Sequence, residues 1–192
     1  EAVLDLMAAG KLDIAPLVSH RFRFEEAPAA YDTLAQGSGV LGIVLTYDRS
    51  AAERRARTVQ LSPASRPVSG QPAVGVVGAG NYASRVLVPA FRKAGASLHS
   101  IAAPSGVSGV ITGRRAGFQR ALSDAGELLA DPALDVAVIA TRHDSHAALV
   151  AEALDHGKHV FVEKPLALDL EGVEAVEQAY WAAQADGPGP QL

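Results

Sequence analysis

Residues 74–84 read VGVVGAGNYAS. The run AVGVVG at 73–78 is apolar throughout and too short for a helix, as expected of a strand covered on both faces. Residues 81–94 then carry Val86, Leu87, Ala90, Phe91 and Ala94 at helical spacing, which turns them inward, and Gly95 ends the pattern. Pro89 inside that helix predicts a kink, or a place where a backbone bond is already missing. Between strand and helix, Gly78, Gly80 and Ala83 form a G-x-G-x-x-A pattern. Gly78 permits the tight turn, Gly80 lets backbone approach a pyrophosphate, and the small Ala83 allows close helix-on-strand packing. The helix start adds unpaired N–H groups and a partial positive charge. Strand before and helix after are the context this pattern requires, so Gly78, Gly80, Asn81, Tyr82 and Ala83 are expected to bind a dinucleotide.

Downstream, strands and helices keep alternating. SLHSIAA at 97–103 and DVAVIAT at 135–141 read as strands, with a short helix in SDAGELLADP capped by Ser123 between them. Residues 145–156 read as a helix stopped by Gly157, HVFVE at 159–163 as a strand, and residues 169–184 as a helix turning Leu170, Val173, Val176 and Tyr180 inward. Such alternation predicts an α/β fold, a Rossmann-like doubly wound parallel sheet with helices on both faces.

An NAD site of this kind places a carboxylate about 20 residues after the glycines, on the ribose 2′-hydroxyl. Ala103-Pro104-Ser105-Gly106 stands there instead. With no acid to repel a 2′-phosphate, and with Ser105 and Arg114 or Arg115 within the same segment, NAD(P) is the expected cofactor and NADP the favoured form.

Upstream, residues 1–48 read as helix, strand, helix, strand and have little to pack against alone. Residues 49–71, RSAAERRARTVQLSPASRPVSGQ, read as a linker. The expected domains are therefore a tail over 1–48, that linker, and a nucleotide-binding domain over 72–192. The chain is 192 residues long, 48 % hydrophobic and 20 % charged, with net charge -4, which is globular composition. All ten cations between Glu53 and Asp124 stand without an intervening acid, so the middle is basic and suits an anionic ligand. The segment Arg54–Arg66 lacks interleaved aromatics, so no nucleic acid partner is expected. No apolar run is long enough for a membrane span. The absence of cysteine removes disulfides, thiolate metal sites and a cysteine nucleophile, and fits a reducing, cytoplasmic setting. His143/His146 and His156/His159 share a three-residue spacing but lack further ligands, so no metal is expected. No G-x-S-x-G elbow supports hydrolysis.

Residues 135–168, DVAVIATRHDSHAALVAEALDHGKHVFVEKPLAL, resemble the Gfo/Idh/MocA oxidoreductases, in which one strand ends in A-T, a helix follows, and the next strand ends in E-K-P. The resemblance spans about residues 72–180. It implies an NAD(P)-dependent oxidoreductase of sugars, cyclitols or related polyols, with a second, carboxy-terminal substrate domain. It places Lys164 beside the nicotinamide and the reacting hydroxyl, where an ammonium stabilises a developing alkoxide. Glu163 would orient Lys164, and Pro165 matches a proline often found cis. Thr141, Arg142 and His146 match positions lining the dinucleotide, although the family more often has Pro where Arg142 stands. The family's base and most substrate contacts lie in the second domain, so this chain is expected to bind cofactor without turning over alone. A homo-oligomer is a further expectation, and a non-catalytic nucleotide-binding or domain-joining module is the alternative reading.

GKLDIAPLVSHRFRFEEAPAAYDTLAQGSGVLGIVLTY at 10–47 resembles the carboxy-terminal tail of zinc-type medium-chain alcohol dehydrogenases. Joined to the later domain, it implies the seam of a two-enzyme fusion.

Overall fold

The computed structural model describes residues 2–37, 39–48, 56–63, 70–185 and 189–192. The chain forms two compact units, Glu1–Arg55 and Ala56–Leu192.

In the first unit a helix, Ala2–Ala8, precedes β1 (His20–Arg23), the helix Ala27–Gln36 and β2 (Ile43–Thr46). The two strands pair in parallel, His20 opposite Ile43, which makes a β-helix-β crossover. Among its described residues only Ala30 is buried, while Leu4, Leu6, Leu17, Leu34 and Leu41 stay exposed. The pattern read from the sequence is present, but it encloses no core.

The second unit is built on β3 (Thr58–Gln60), β4 (Ala73–Val77), β5 (Ser97–Ala102), β6 (Arg120–Leu122), β7 (Val136–Ile139) and β8 (His159–Val162). Their order is β3-β6-β5-β4-β7-β8. The five strands from β6 to β8 run parallel in the doubly wound arrangement, and β3 joins the outer edge of β6 antiparallel. Strand β3 lies inside the stretch read as a linker, and the unit boundary falls at Arg55 and Ala56 rather than near Pro72. Three residues with one large apolar side chain give too little periodicity to read, and pairing with β6 is what makes them a strand. Residues 49–55 and 64–69 of that stretch lie outside the described residues.

Side chains alternate across the sheet and split the core in two. Val74, Val76 and Val138 face one layer with Leu87, Val88, Ile101 and Phe118. Val77, Ala137 and Ile139 face the other with Leu128, Leu129, Val150, Leu154 and Val176. Each large aliphatic side chain buried this way contributes about 1.5–3 kcal/mol.

The helix after β4 departs from its expected face. Between Ala83 and Leu87 the backbone widens, and the Val88 N–H donates to the Ala83 carbonyl. Pro89 explains this, because it has no N–H for Arg85 and its ring needs room one turn back. The widened turn inserts a residue and rotates the buried face onto Ala83, Leu87 and Val88, leaving Val86, Ala90 and Ala94 exposed. In the helix Leu170–Ala183, likewise, Val176 is buried and Tyr180 half-buried while Leu170 and Val173 are exposed. The cap of the helix Ala125–Leu129 is Asp124, whose carboxylate accepts from the Glu127 N–H, rather than Ser123. The helix Gly106–Ala116, between β5 and β6, completes the unit.

The amino edge of the sheet carries a buried polar cluster. Lys158 Nζ donates to the carbonyls of Asp131 (2.7 Å) and Leu134 (2.9 Å), Arg120 pairs with Asp131, and the Ala73 N–H donates to Asp135 (2.7 Å). Burial pushes Lys158 below the usual lysine value, with Asp135 opposing the shift. No helix of the described residues is long and apolar enough to cross a membrane.

Candidate dinucleotide and hydride-transfer site

Strand order reverses between β5 and β7 on either side of β4, and a crevice opens at the carboxyl ends of these strands. The turn that shapes it is tightly constrained. The Gly78 N–H donates to the Ala102 carbonyl (2.8 Å), and the Ala140 N–H donates to the Val77 carbonyl (2.9 Å). Gly78 has φ +110°, and a Cβ there would overlap the Ala140 carbonyl. Close approach of two backbones thus requires glycine at 78. Gly80 differs, because a Cβ there would meet nothing within 4 Å, so its face opens onto the crevice. Ala83 is buried beneath the turn against Val76 and Val138, and Asn81 and Tyr82 are exposed at the helix start.

Two cavities meet at Gly80, Ala140 and Thr141. One, of about 580 Å³, is mostly apolar and is lined by Gly78, Ala103, Pro104, Ser123, Arg142 and Leu149 among others. The second, of about 470 Å³, lies on the other side of Gly80 against Asn81, Tyr82, His143, His146, Glu163 and Lys164. A long ligand laid across Gly80 would therefore have one end among small and apolar groups and the other beside an ammonium.

The walls of the second cavity are tied together by His146. Its ring is fully buried. Nδ1 lies 2.8 Å from the Pro165 carbonyl and Nε2 lies 3.3 Å from the Thr141 carbonyl. Both ring nitrogens thus face backbone oxygens, so His146 bridges the β7 and β8 loops. The Lys164–Pro165 peptide bond is cis. Thr141 is fixed through its Oγ1, 2.7 Å from Ser145 Oγ.

The remaining expected site residues divide. Arg142 reaches the first cavity but is 91 % exposed and only 3.8 Å from Asp144. Glu163 and Lys164 stand together on the wall of the second cavity. Ser105 is exposed and lies just beyond the crevice, whose wall is formed by Ala103 and Pro104. Arg115 lines a separate groove with Arg85 and Arg92, so it stands away from the crevice. Ser123, read from the sequence only as a helix cap, lines the first cavity with Asp144, Ser145 and Leu149, which nothing in the sequence distinguishes from ordinary helix residues. Among the described residues no group of three or more His, Asp or Glu could hold a metal ion.

A parallel doubly wound sheet, a glycine turn at its switch point and an E-K-P loop facing it define a Rossmann-type nucleotide-binding domain. Residues 73–185 match the family described as an oxidoreductase family with an NAD-binding Rossmann fold, GFO_IDH_MocA, and the chain belongs to it. It is 31 % identical over 97 residues to a 1,5-anhydro-D-fructose reductase of Ensifer adhaerens, covering 50 % of this chain and 29 % of that protein. It is 37 % identical over 65 residues to a scyllo-inositol 2-dehydrogenase (NAD(+)) of Bacillus subtilis strain 168, covering 34 % and 19 %. Among solved structures, KijD10, a 3-ketoreductase of Actinomadura kijaniata in complex with NADP and TDP-benzene, superposes with a TM-score of 0.55 at 26 % identity over 58 % of this chain and 34 % of that one. The chain thus spans less than a third of the length of these two curated relatives.

Proposed function

We propose that the second unit is the dinucleotide-binding part of an NAD(P)-dependent oxidoreductase acting on a sugar- or cyclitol-like alcohol or ketone. The reading is carried by one observation: the glycine-walled crevice and the cavity beside Lys164 meet at Gly80, so a ligand gripped at the turn reaches the ammonium. Room at Gly80, a largely apolar wall and no carboxylate at Ala103–Ser105 fit a dinucleotide. When bound, that group supplies the carbon that accepts or gives up hydride. Gly78, Gly80, Asn81, Tyr82 and Ala83 form the cradle, and Thr141, Arg142 and Ser105 border it. Lys164 donates a hydrogen bond to the substrate oxygen as charge develops there, which lowers the barrier to hydride departure. His146 and Pro165 hold the loop that presents Lys164. The relatives named for an anhydrosugar and an inositol support the substrate class. The test is calorimetric titration of the folded chain with NADPH and NADH. Binding of at least one is expected, and no heat with either overturns the reading.

Residues 1–48 are, in the same proposal, the closing piece of a zinc-type medium-chain dehydrogenase, making the protein a two-enzyme fusion. A crossover with a single buried residue among those described, and a row of exposed leucines, supports it, since such a piece needs a larger core to complete it. Expressing the chain with the residues encoded before Glu1 and measuring bound zinc tests this. Stoichiometric zinc is expected, and a metal-free product overturns it.

A further inference from the structure

Strand β3 is an addition at the edge of the doubly wound sheet, and its antiparallel direction has a consequence. Its amino end, not its carboxyl end, arrives at the edge where the crevice opens. Thr58 pairs with Leu122, and the Ser123 N–H donates to the Arg57 carbonyl at 2.9 Å. Arg57 is thereby carried to the carboxyl edge of β6. Ser123 links it to the crevice: this residue lines the dinucleotide cavity together with Ala103 and Pro104, and it also lines an adjoining groove of about 320 Å³ with Arg57 and Gly106.

We propose that Arg57 is a specificity residue that binds the adenosine 2′-phosphate of the cofactor and selects the phosphorylated dinucleotide. This rests on the proposed function above. In a doubly wound nucleotide fold the adenosine ribose lies at the end of the second strand, here β5, where this chain offers Ala103-Pro104-Ser105 and no acid. Arg57 shares its groove with Gly106, the residue that follows that segment. Its Nη1 donates to Asp124 Oδ2 at 2.8 Å, while the other Asp124 oxygen accepts the Glu127 N–H at 3.1 Å. Asp124 is thus itself fixed by the helix it caps, and it pins one nitrogen of the guanidinium. The remaining N–H groups stay available for the forked contact that guanidinium makes with phosphate. Glu127, the nearby second acid, is engaged by the Thr58 hydroxyl at 2.7 Å. Arg57 brings positive charge to this groove; without it, Asp124 and Glu127 leave this edge negative and hostile to a phosphate. Of the arginines nearer in sequence, Arg115 lines a different groove, shared with Arg85 and Arg92.

The experiment titrates the chain and its Arg57→Gln and Arg57→Lys forms with NADPH, NADH and 2′,5′-ADP, each folded by circular dichroism. The unaltered chain is expected to bind NADPH more tightly than NADH. Arg57→Gln should weaken NADPH and 2′,5′-ADP by about 10- to 100-fold, as loss of a charge-assisted contact does. NADH should change by less than about twofold, and Arg57→Lys should retain part of the NADPH preference, since lysine keeps the charge but not the fork. A preference for NADH in the unaltered chain overturns the inference, as does equal or no weakening of the two dinucleotides in Arg57→Gln. An unaltered chain that binds neither dinucleotide defeats the proposed function itself, and so is distinct from a chain that binds both and ignores Arg57.

Discussion

His146 Nδ1 and the Pro165 carbonyl oxygen lie 2.8 Å apart across the gap between the helix that follows β7 and the loop that leaves β8. The contact joins two segments separated by 19 positions, and the second ring nitrogen reaches back to Thr141. One side chain therefore sets the spacing between the glycine-turn side of the site and the loop bearing Lys164.

Removing that ring should loosen both segments together. His146→Ala is expected to cost about 2–4 kcal/mol, from a buried void plus the lost hydrogen bonding of the ring to backbone. His146→Phe keeps the volume and isolates the hydrogen-bond part, at about 1–3 kcal/mol. Urea unfolding followed by circular dichroism measures both. A loss below about 0.5 kcal/mol for the phenylalanine form would show that the backbone at this place does not need the ring.

The two glycines of the turn should separate stability from binding. Gly78→Ala forces a Cβ against the Ala140 carbonyl at φ +110°, and strain plus overlap should cost about 3 kcal/mol or more. Gly80→Ala meets open space, so its unfolding midpoint should hold within about 1 kcal/mol while dinucleotide affinity falls about tenfold, because the methyl intrudes where the pyrophosphate approaches. Urea midpoints and dinucleotide titrations on both variants decide the matter. If the two behave alike in both measurements, the division of labour is wrong.

What the sequence disclosed and what it hid follow from how far each signal reaches. AVGVVG and DVAVIAT became β4 and β7 because an uninterrupted apolar run has few other fates. The G-x-G-x-x-A turn was legible since its spacing is local. Strand β3 was not, because Thr58–Gln60 is a strand only by virtue of β6, some 60 positions later. The helix Gly106–Ala116 hides for a related reason: Gly109 and Gly113 weaken its intrinsic preference, yet at Gly113 a Cβ would crowd Leu61 and, in β5, Ile101. The inward face after β4 was misread because Pro89 acts through a widened turn that simple periodicity does not contain. At the site, Lys164 and Thr141 were legible through their motif. The part of His146 as a tie between loops, and the arrival of Arg57 at the crevice edge, depend on contacts that only the fold creates.

His99 makes stability depend on pH. It is 7 % exposed, and its Nδ1 has no hydrogen-bond partner; the nearest acid oxygen, on Asp131, is 3.8 Å away and that carboxylate is engaged by Arg120. Burial chiefly, with Arg120 adding, lowers its pKa from the usual 6.5, against an opposing pull from Asp135. Below pH 6.5 the unfolded chain takes up a proton that the folded chain refuses until its own lower pKa is reached. Stability from this group therefore falls as the pH drops through that window, by at most about 1.4 kcal/mol per pH unit, and is constant above it. Unfolding free energies measured between pH 5 and 7.5 should show a shallower acid loss in His99→Asn. Identical slopes in the two proteins would remove His99 as the cause.

The two units should differ most in how often they open. In the first, Ala30 is the one buried residue among those described, so β1 and β2 are held by their ladder and by side chains that remain wet. In the second, Val76, Ala137, Val138 and Ile139 have no exposed surface, and opening β4 from β7 exposes both apolar layers at once. Amide exchange through local opening scales with that difference, so peptides spanning His20–Arg23 and Ile43–Thr46 should exchange on the order of a hundredfold faster or more than those spanning Ala73–Val77 and Val136–Ile139. Hydrogen exchange read by mass spectrometry gives both values in one experiment. If a larger dehydrogenase core completes the first unit, exchange in β1 and β2 should slow when the upstream residues are present, while that of β4 and β7 stays put. Equal protection of the two units in the chain alone would mean that the exposed leucines of the first are not the weakness the packing indicates.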